Sequence, residues 1–155
     1  MGEELWGLVN NQEVQLRKPQ ILGRAANPRA AVRARIPIER YKGALLVIGC
    51  IDDYVWPSAM MAQNIAERRA EAGLQTSLLI FPDAGHQVGG HGWDPTTQYN
   101  IGPKKMGGTP DGSAAAQYQT FRESFLFLRH ALGCPRRGEP PAIHGVAIEG
   151  VGHVP

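Results

Sequence analysis

Ala44-Leu45-Leu46-Val47-Ile48-Gly49 is an apolar run without polar interruption, preceded by the turn-rich Ile36-Pro37-Ile38-Glu39-Arg40-Tyr41-Lys42-Gly43. Its length and composition fit a strand buried on both faces, as parallel sheets require. After the acidic pair Asp52-Asp53, Pro57 stops the loop and Ser58 offers its hydroxyl as the N-cap of a helix. Met61, Ile65 and Ala72, with the small Ala62 and Ala66, fall on one stripe of that helix, and Gly73 marks its C-terminal stop. Thr76-Ser77-Leu78-Leu79-Ile80-Phe81 then reads as a second strand. Residues 44–81 thus form one β-α-β unit, a connection that makes the strands parallel and the crossover right-handed. The fold class is α/β.

Outward from this unit, Pro82 to Gly112 is rich in Gly, Pro, Asp, Asn and His and has no period. A loop of that length is usually functional or disordered. A helix from about Ala114 to Leu132 follows, with Ser113 as its cap and Gly133 and Pro135 ending it. Tyr118, Phe121, Phe125, Leu128 and Leu132 step along it by three and four, and this stripe reads as core. Residues 133–155 read as a mobile tail. Residues 1–35 form a basic N-terminal segment. From Arg17 to Lys42 eight basic residues face only Glu39, which fits a solvated loop or surface helix, or a site for a polyanion such as a nucleotide phosphate.

Composition narrows the function classes. The chain of 155 residues has the length of a single domain. At 43% apolar and 19% charged it is too apolar for a disordered chain, although 19 Gly and 12 Pro demand many loops. A net charge of +2 is too small to drive sequence-independent nucleic-acid binding. The longest apolar run, Ala44 to Ile51, falls far short of the ~20 residues of a membrane span. Glu3, Glu4, Asn10 and Asn11 stand where a signal peptide would be apolar. The expectation is a cytoplasmic protein without membrane or nucleic-acid partners, with Cys50 and Cys134 as free thiols.

Reactive groups of open parallel sheets gather at the carboxyl ends of the strands. Asp52 and Asp53 follow the first strand and His86 follows the second. A carboxylate beside a histidine fixes the ring's tautomer and stabilises the imidazolium formed when it takes a proton from a nucleophile. The α/β-hydrolases order the three groups as nucleophile, acid, histidine, and this chain shows the last two. It contains no G-x-S-x-G turn, and no serine precedes Asp52. Ser58 and Ser113 read as caps and Ser77 as a strand residue. Cys50 lies beside the acids, whose charge disfavours its thiolate, so it reads as core. Asp83, His86, His91 and Asp94 compete as metal ligands but match no tight ligand spacing. On spacing alone Asp52, Asp53 and His86 could equally be ordinary loop residues.

The stretch Ile36–Arg40, Gly43–Ile48 and Asp52-Asp53-Tyr54-Val55-Trp56-Pro57-Ser58 resembles the acyl-CoA thioester hydrolase and bile-acid-CoA:amino acid N-acyltransferase family. The likeness continues through Pro82-Asp83-Ala84-Gly85-His86, Gly107-Gly108-Thr109-Pro110 and the helix carrying Ala116-Gln117, Phe121 and Phe127-Leu128. It covers about Ile36 to Leu132. The resemblance implies a partial α/β-hydrolase fold, the last strands of a parallel sheet with flanking helices. It implies an acyl-CoA thioester substrate, no cofactor or metal, and Asp53 and His86 as the catalytic acid and histidine. Asp52 becomes a neighbour that hydrogen-bonds the loop. Arg17, Lys18 and Trp56 are candidate substrate contacts, the basic stretch holding CoA phosphates. Cys50-Ile51 departs from the glycine and polar residue expected before the acids. On this reading nucleophile, oxyanion hole and first strands lie upstream of Met1, and the sheet edge pairs with that missing half or with a second copy. The alternatives are a non-catalytic truncated module and another α/β-hydrolase, such as a dienelactone-hydrolase-like esterase.

Overall fold

The computed structural model describes residues 14–89 and 106–134. In chain order its elements are α1 (Arg17–Ala26), α2 (Pro28–Arg33), a 3-10 turn (Ile38–Arg40), β1 (Leu46–Cys50), α3 (Ser58–Glu71), β2 (Ser77–Phe81) and α4 (Pro110–Ala131). The basic segment is therefore helical from Arg17, and neither α1 nor α2 buries a residue. β1 and β2 pair in parallel, in register from Leu46 opposite Ser77 to Cys50 opposite Phe81. β1 begins two residues later than the apolar run suggests, and Leu46, Val47 and Ile48 are only half-buried. The expected burial on both faces is thus incomplete, because among the described residues the sheet has two strands and each keeps an open edge.

α3 lies close against β1. A side chain at Gly49 would meet the Ser58 carbonyl at 2.7 Å and Ala59 Cα at 2.8 Å, so the helix's first turn can approach only a glycine. Ser58 does not cap the helix. Pro57 occupies the N-cap position without a side-chain bond, and the Ser58 hydroxyl turns inward, accepting from the Cys50 amide at 3.0 Å and reaching its carbonyl at 3.2 Å. Gly73, at φ +71°, closes the helix with the paired bonds Leu74 N–H to Arg69 C=O at 2.8 Å and Gly73 N–H to Ala70 C=O at 2.9 Å.

Among the described residues the most buried large side chain is charged. Arg69, 1% exposed, donates to the carbonyls of Ile38, Tyr41, Gly43 and Gln75 and to Thr76 Oγ1. Its neighbour Arg68 pairs with Glu39 and donates to the Ile36 carbonyl. Together they tie the chain entering β1 to the helix leaving it. Among the described residues the apolar cluster at the sheet is small: Cys50, Leu79, Phe81, Ala84 and Ala116, with Leu46, Ile48 and Val88 packed against it.

α4 corrects two expectations. It begins at Pro110 with Thr109 as N-cap, the threonine hydroxyl accepting from the Gly112 amide at 3.0 Å, and Ser113 is buried within the helix. The stripe Tyr118, Phe121, Phe125, Leu128 and Leu132 is not core, being 53–73% exposed, and the helix instead buries Ser113, Ala116, Gln117 and Thr120. Small side chains let it sit close on the sheet. A helix of 22 residues is also about twice the length of a five-residue strand, so β1 and β2 cannot cover its second half.

Candidate active site

Two turns leave the carboxyl ends of the strands, residues 51–56 after β1 and 82–86 after β2. Asp53 heads the first, 2% exposed. Its Oδ1 accepts from the amides of Val55 at 2.8 Å and Trp56 at 2.9 Å, an arrangement that winds the turn around the carboxylate. Its Oδ2 lies 3.1 Å from His86 Nδ1. Burial pushes the Asp53 carboxyl up, but hydrogen bonds from His86, the Trp56 amide, the Ser58 hydroxyl and the Val55 amide together outweigh it and hold the group below its ordinary value. The Ser58 hydroxyl has one proton, which serves either this carboxylate or the Cys50 carbonyl. An ionised Asp53 accepts only, so His86 donates from Nδ1, and its neutral form then carries the lone pair on Nε2.

A third segment holds these two turns together. The Met106 carbonyl accepts from the His86 amide at 2.8 Å and from the Tyr54 amide at 3.4 Å. Gly107 bridges Asp53 and Gly108 bridges Ala84. Asp52, half-buried, accepts from the Gly108 amide through Oδ2 at 2.9 Å, and the Thr109 amide donates to the Asp83 carbonyl at 2.8 Å. Gly107 and Gly108 stand at φ +77° and +76°, and a side chain at Gly107 would collide with the Asp52 carbonyl.

The acid turn is also held from the N-terminal side. Arg17 donates from Nη1 to the carbonyls of Ile51 at 2.8 Å and Asp53 at 3.2 Å, and its guanidinium lies 5.0 Å over the Tyr54 ring. Gln20 donates to the Val55 carbonyl at 2.9 Å. Arg17 therefore contacts the acid turn, while Lys18 is exposed on the same helix. Trp56, 46% exposed, stands beside a cavity of about 340 Å³ between β1 and α3, bordered by Ile48, Met61, Ile65, Val88 and His86. Cys50 also lines it, and burial, then the Asp53 charge, pushes its thiol up to about 12. Among the described residues no three His, Cys, Asp or Glu side chains gather as metal ligands, and His91 and Asp94 lie outside the described residues. No described helix is long and apolar enough to cross a membrane.

Gln20 and Met106 escaped a reading by residue type because they act on, or through, backbone atoms, and Arg17, named there as a candidate substrate contact, donates to backbone carbonyls of the acid turn. The Gly107-Gly108 pair was the visible trace of the third segment.

The chain is 27% identical over 114 residues to acyl-coenzyme A thioesterase 6 of Mus musculus, an alignment covering 70% of this chain and 26% of that protein. It therefore spans about a quarter of the length of that relative. The family described as BAAT / Acyl-CoA thioester hydrolase C terminal matches residues 9–134, through both turns and the segment that joins them. The chain belongs to this family of BAAT and acyl-CoA thioester hydrolase C-terminal regions.

Proposed function

We infer that this chain supplies the acid and histidine of a nucleophile-Asp-His site that hydrolyses an acyl-CoA thioester or transfers its acyl group. The observation that carries the reading is the buried Asp53 carboxylate 3.1 Å from His86 Nδ1. His86 Nε2 takes the proton of a Ser or Cys nucleophile as that atom attacks the thioester carbonyl. It then returns the proton to the departing CoA sulfur, and Asp53 stabilises the imidazolium in between. Water or an amine then takes the acyl group from the nucleophile by the same proton transfers.

The nucleophile comes from outside this sequence, which holds no G-x-S-x-G or G-x-C-x-G turn. Cys50 is a poor substitute, because a thiol pushed up to about 12 carries almost no thiolate near neutral pH. The sheet edge is the natural junction with the segment that brings the nucleophile, either an earlier part of a longer chain or a separate partner. The apolar cavity beside His86 has walls suited to an acyl chain. Lys18, exposed on the same helix, would meet a CoA phosphate, while Arg17 holds the acid turn.

The test is CoA release from a panel of acyl-CoA thioesters, followed with a thiol reagent, in the polypeptide or assembly that joins this segment to a nucleophile turn. H86A and D53N are each expected to lower turnover by roughly 10⁴-fold, the scale for losing a triad member. D52N should cost far less. Equal losses at Asp52 and Asp53 would overturn the choice of acid. Turnover by the 155-residue chain alone would overturn the absent nucleophile, with C50A the first variant to make.

A further inference from the structure

Resting on the Asp53–His86 reading, we propose that Met106–Thr109 is a clasp that sets the acid-to-histidine distance, with Asp52 as its positioning residue. The two turns leave strands that are paired as far as Cys50 and Phe81, with the Ile51 amide donating to the Phe81 carbonyl at 2.9 Å. Beyond those roots, and apart from the Asp53–His86 contact itself, the bonds that join the two turns among the described residues run through this segment. The Met106 carbonyl takes one amide from each turn, His86 on one side and Tyr54 on the other. Gly107 bridges the acid turn at Asp53, and Gly108 bridges the histidine turn at Ala84. Asp52 closes the loop of contacts, because its Oδ2 binds the Gly108 amide from the acid side while the Gly108 backbone is bridged to the histidine side. A charged acceptor on a backbone amide is among the stronger hydrogen bonds available to such a junction.

The acidic pair thus has divided labour. Asp53 faces the imidazole, and Asp52 faces the backbone that carries it. The positive φ at both glycines brings the segment between the turns, and it excludes side chains there. Asp52 touches no reacting atom and acts on His86 through Gly108.

The experiment is nitrogen-15 NMR of the 155-residue chain at about pH 8, above the ordinary imidazole range, reading the His86 tautomer and the exchange rate of the Gly108 amide. Wild type is expected to hold His86 as the Nδ1–H tautomer. D52A should mix the tautomers and speed Gly108 exchange about tenfold, the scale for a lost hydrogen bond, with the far-UV circular dichroism unchanged. D52N retains an acceptor oxygen and should restore the wild-type tautomer. A D52A chain that keeps the pure Nδ1–H form would overturn the positioning role. So would a D52A chain that loses its far-UV spectrum, since Asp52 would then be a folding residue. A wild-type His86 lacking the Nδ1–H form, unchanged by D53N, would instead overturn the Asp53–His86 reading, and the clasp proposal with it.

Discussion

Arg69 offers a direct test of what holds the β-α-β unit together. Its side chain is 1% exposed and donates to five acceptors, including the Gly43 and Gln75 carbonyls at 3.0 Å and Thr76 Oγ1 at 2.9 Å. Replacing it with Met keeps much of the stem's volume but leaves several carbonyls buried without a donor. A hydrogen bond from a charged donor is worth about 1.5–3 kcal/mol, and such bonds around one group do not add. Counting two of the five, less the relief of no longer burying a charge, R69M should cost about 3 kcal/mol. With a urea slope of about 1.5 kcal/mol per molar, that moves the midpoint down by roughly 2 M. R69K keeps the charge and three donors without the planar fork and should fall between R69M and wild type. Urea unfolding of the three chains, followed by far-UV circular dichroism, is the assay. A loss below about 1 kcal/mol for R69M would show that the carbonyls find other donors and refute the argument.

Three further outcomes follow from the same structure. Because burial and the Asp53 charge push the Cys50 thiol up to about 12, iodoacetamide near neutral pH should label the exposed Cys134 and spare Cys50 in the folded chain; peptide mass mapping that finds Cys50 labelled first would contradict the buried placement. The Asp53 carboxyl is held below its ordinary value of 3.8, so its contribution to stability is complete above that value and is lost as pH falls through the folded-state value. D53N should therefore flatten the acid limb of a plot of urea midpoint against pH, and an unchanged limb would refute the linkage. F125E on the exposed stripe of α4 should cost no more than about 1 kcal/mol despite its place in an apolar pattern, and a loss of several times that in thermal unfolding would mean that the stripe is covered.

What could be read from the sequence, and what could not, divides along a physical line. The β-α-β unit was legible because apolar runs, a proline at one helix end and Gly73 at the other are local signals of backbone state. The placement of Asp52, Asp53 and His86 at one sheet edge was legible because parallel connectivity alone puts both loops there. Periodicity in α4 identified an apolar face but says nothing of what lies opposite it, so Tyr118 to Leu132 read as core when the sheet is too short to reach them. Choosing the helix cap between Thr109 and Ser113 needed the weight of Pro110, which favours the first helical position and so pointed to Thr109.

The remaining misses share a cause that bears on the site itself. Gln20, Arg69 and Met106 all hold loops through backbone carbonyls, as does Arg17, which its charge alone singles out, and a carbonyl carries no residue identity. Arg68 and Arg69 are adjacent and chemically identical, yet one pairs with Glu39 at the surface while the other is the most buried large side chain. Only a contact that excludes every side chain leaves a mark in the sequence. Gly107-Gly108 is such a mark, since a side chain at Gly107 would strike the Asp52 carbonyl and one at Gly108 the Gly85 amide. A glycine pair distant in sequence from both the acid and the histidine therefore locates the backbone on which their geometry depends. That location is why the variant to compare with D53N is D52A.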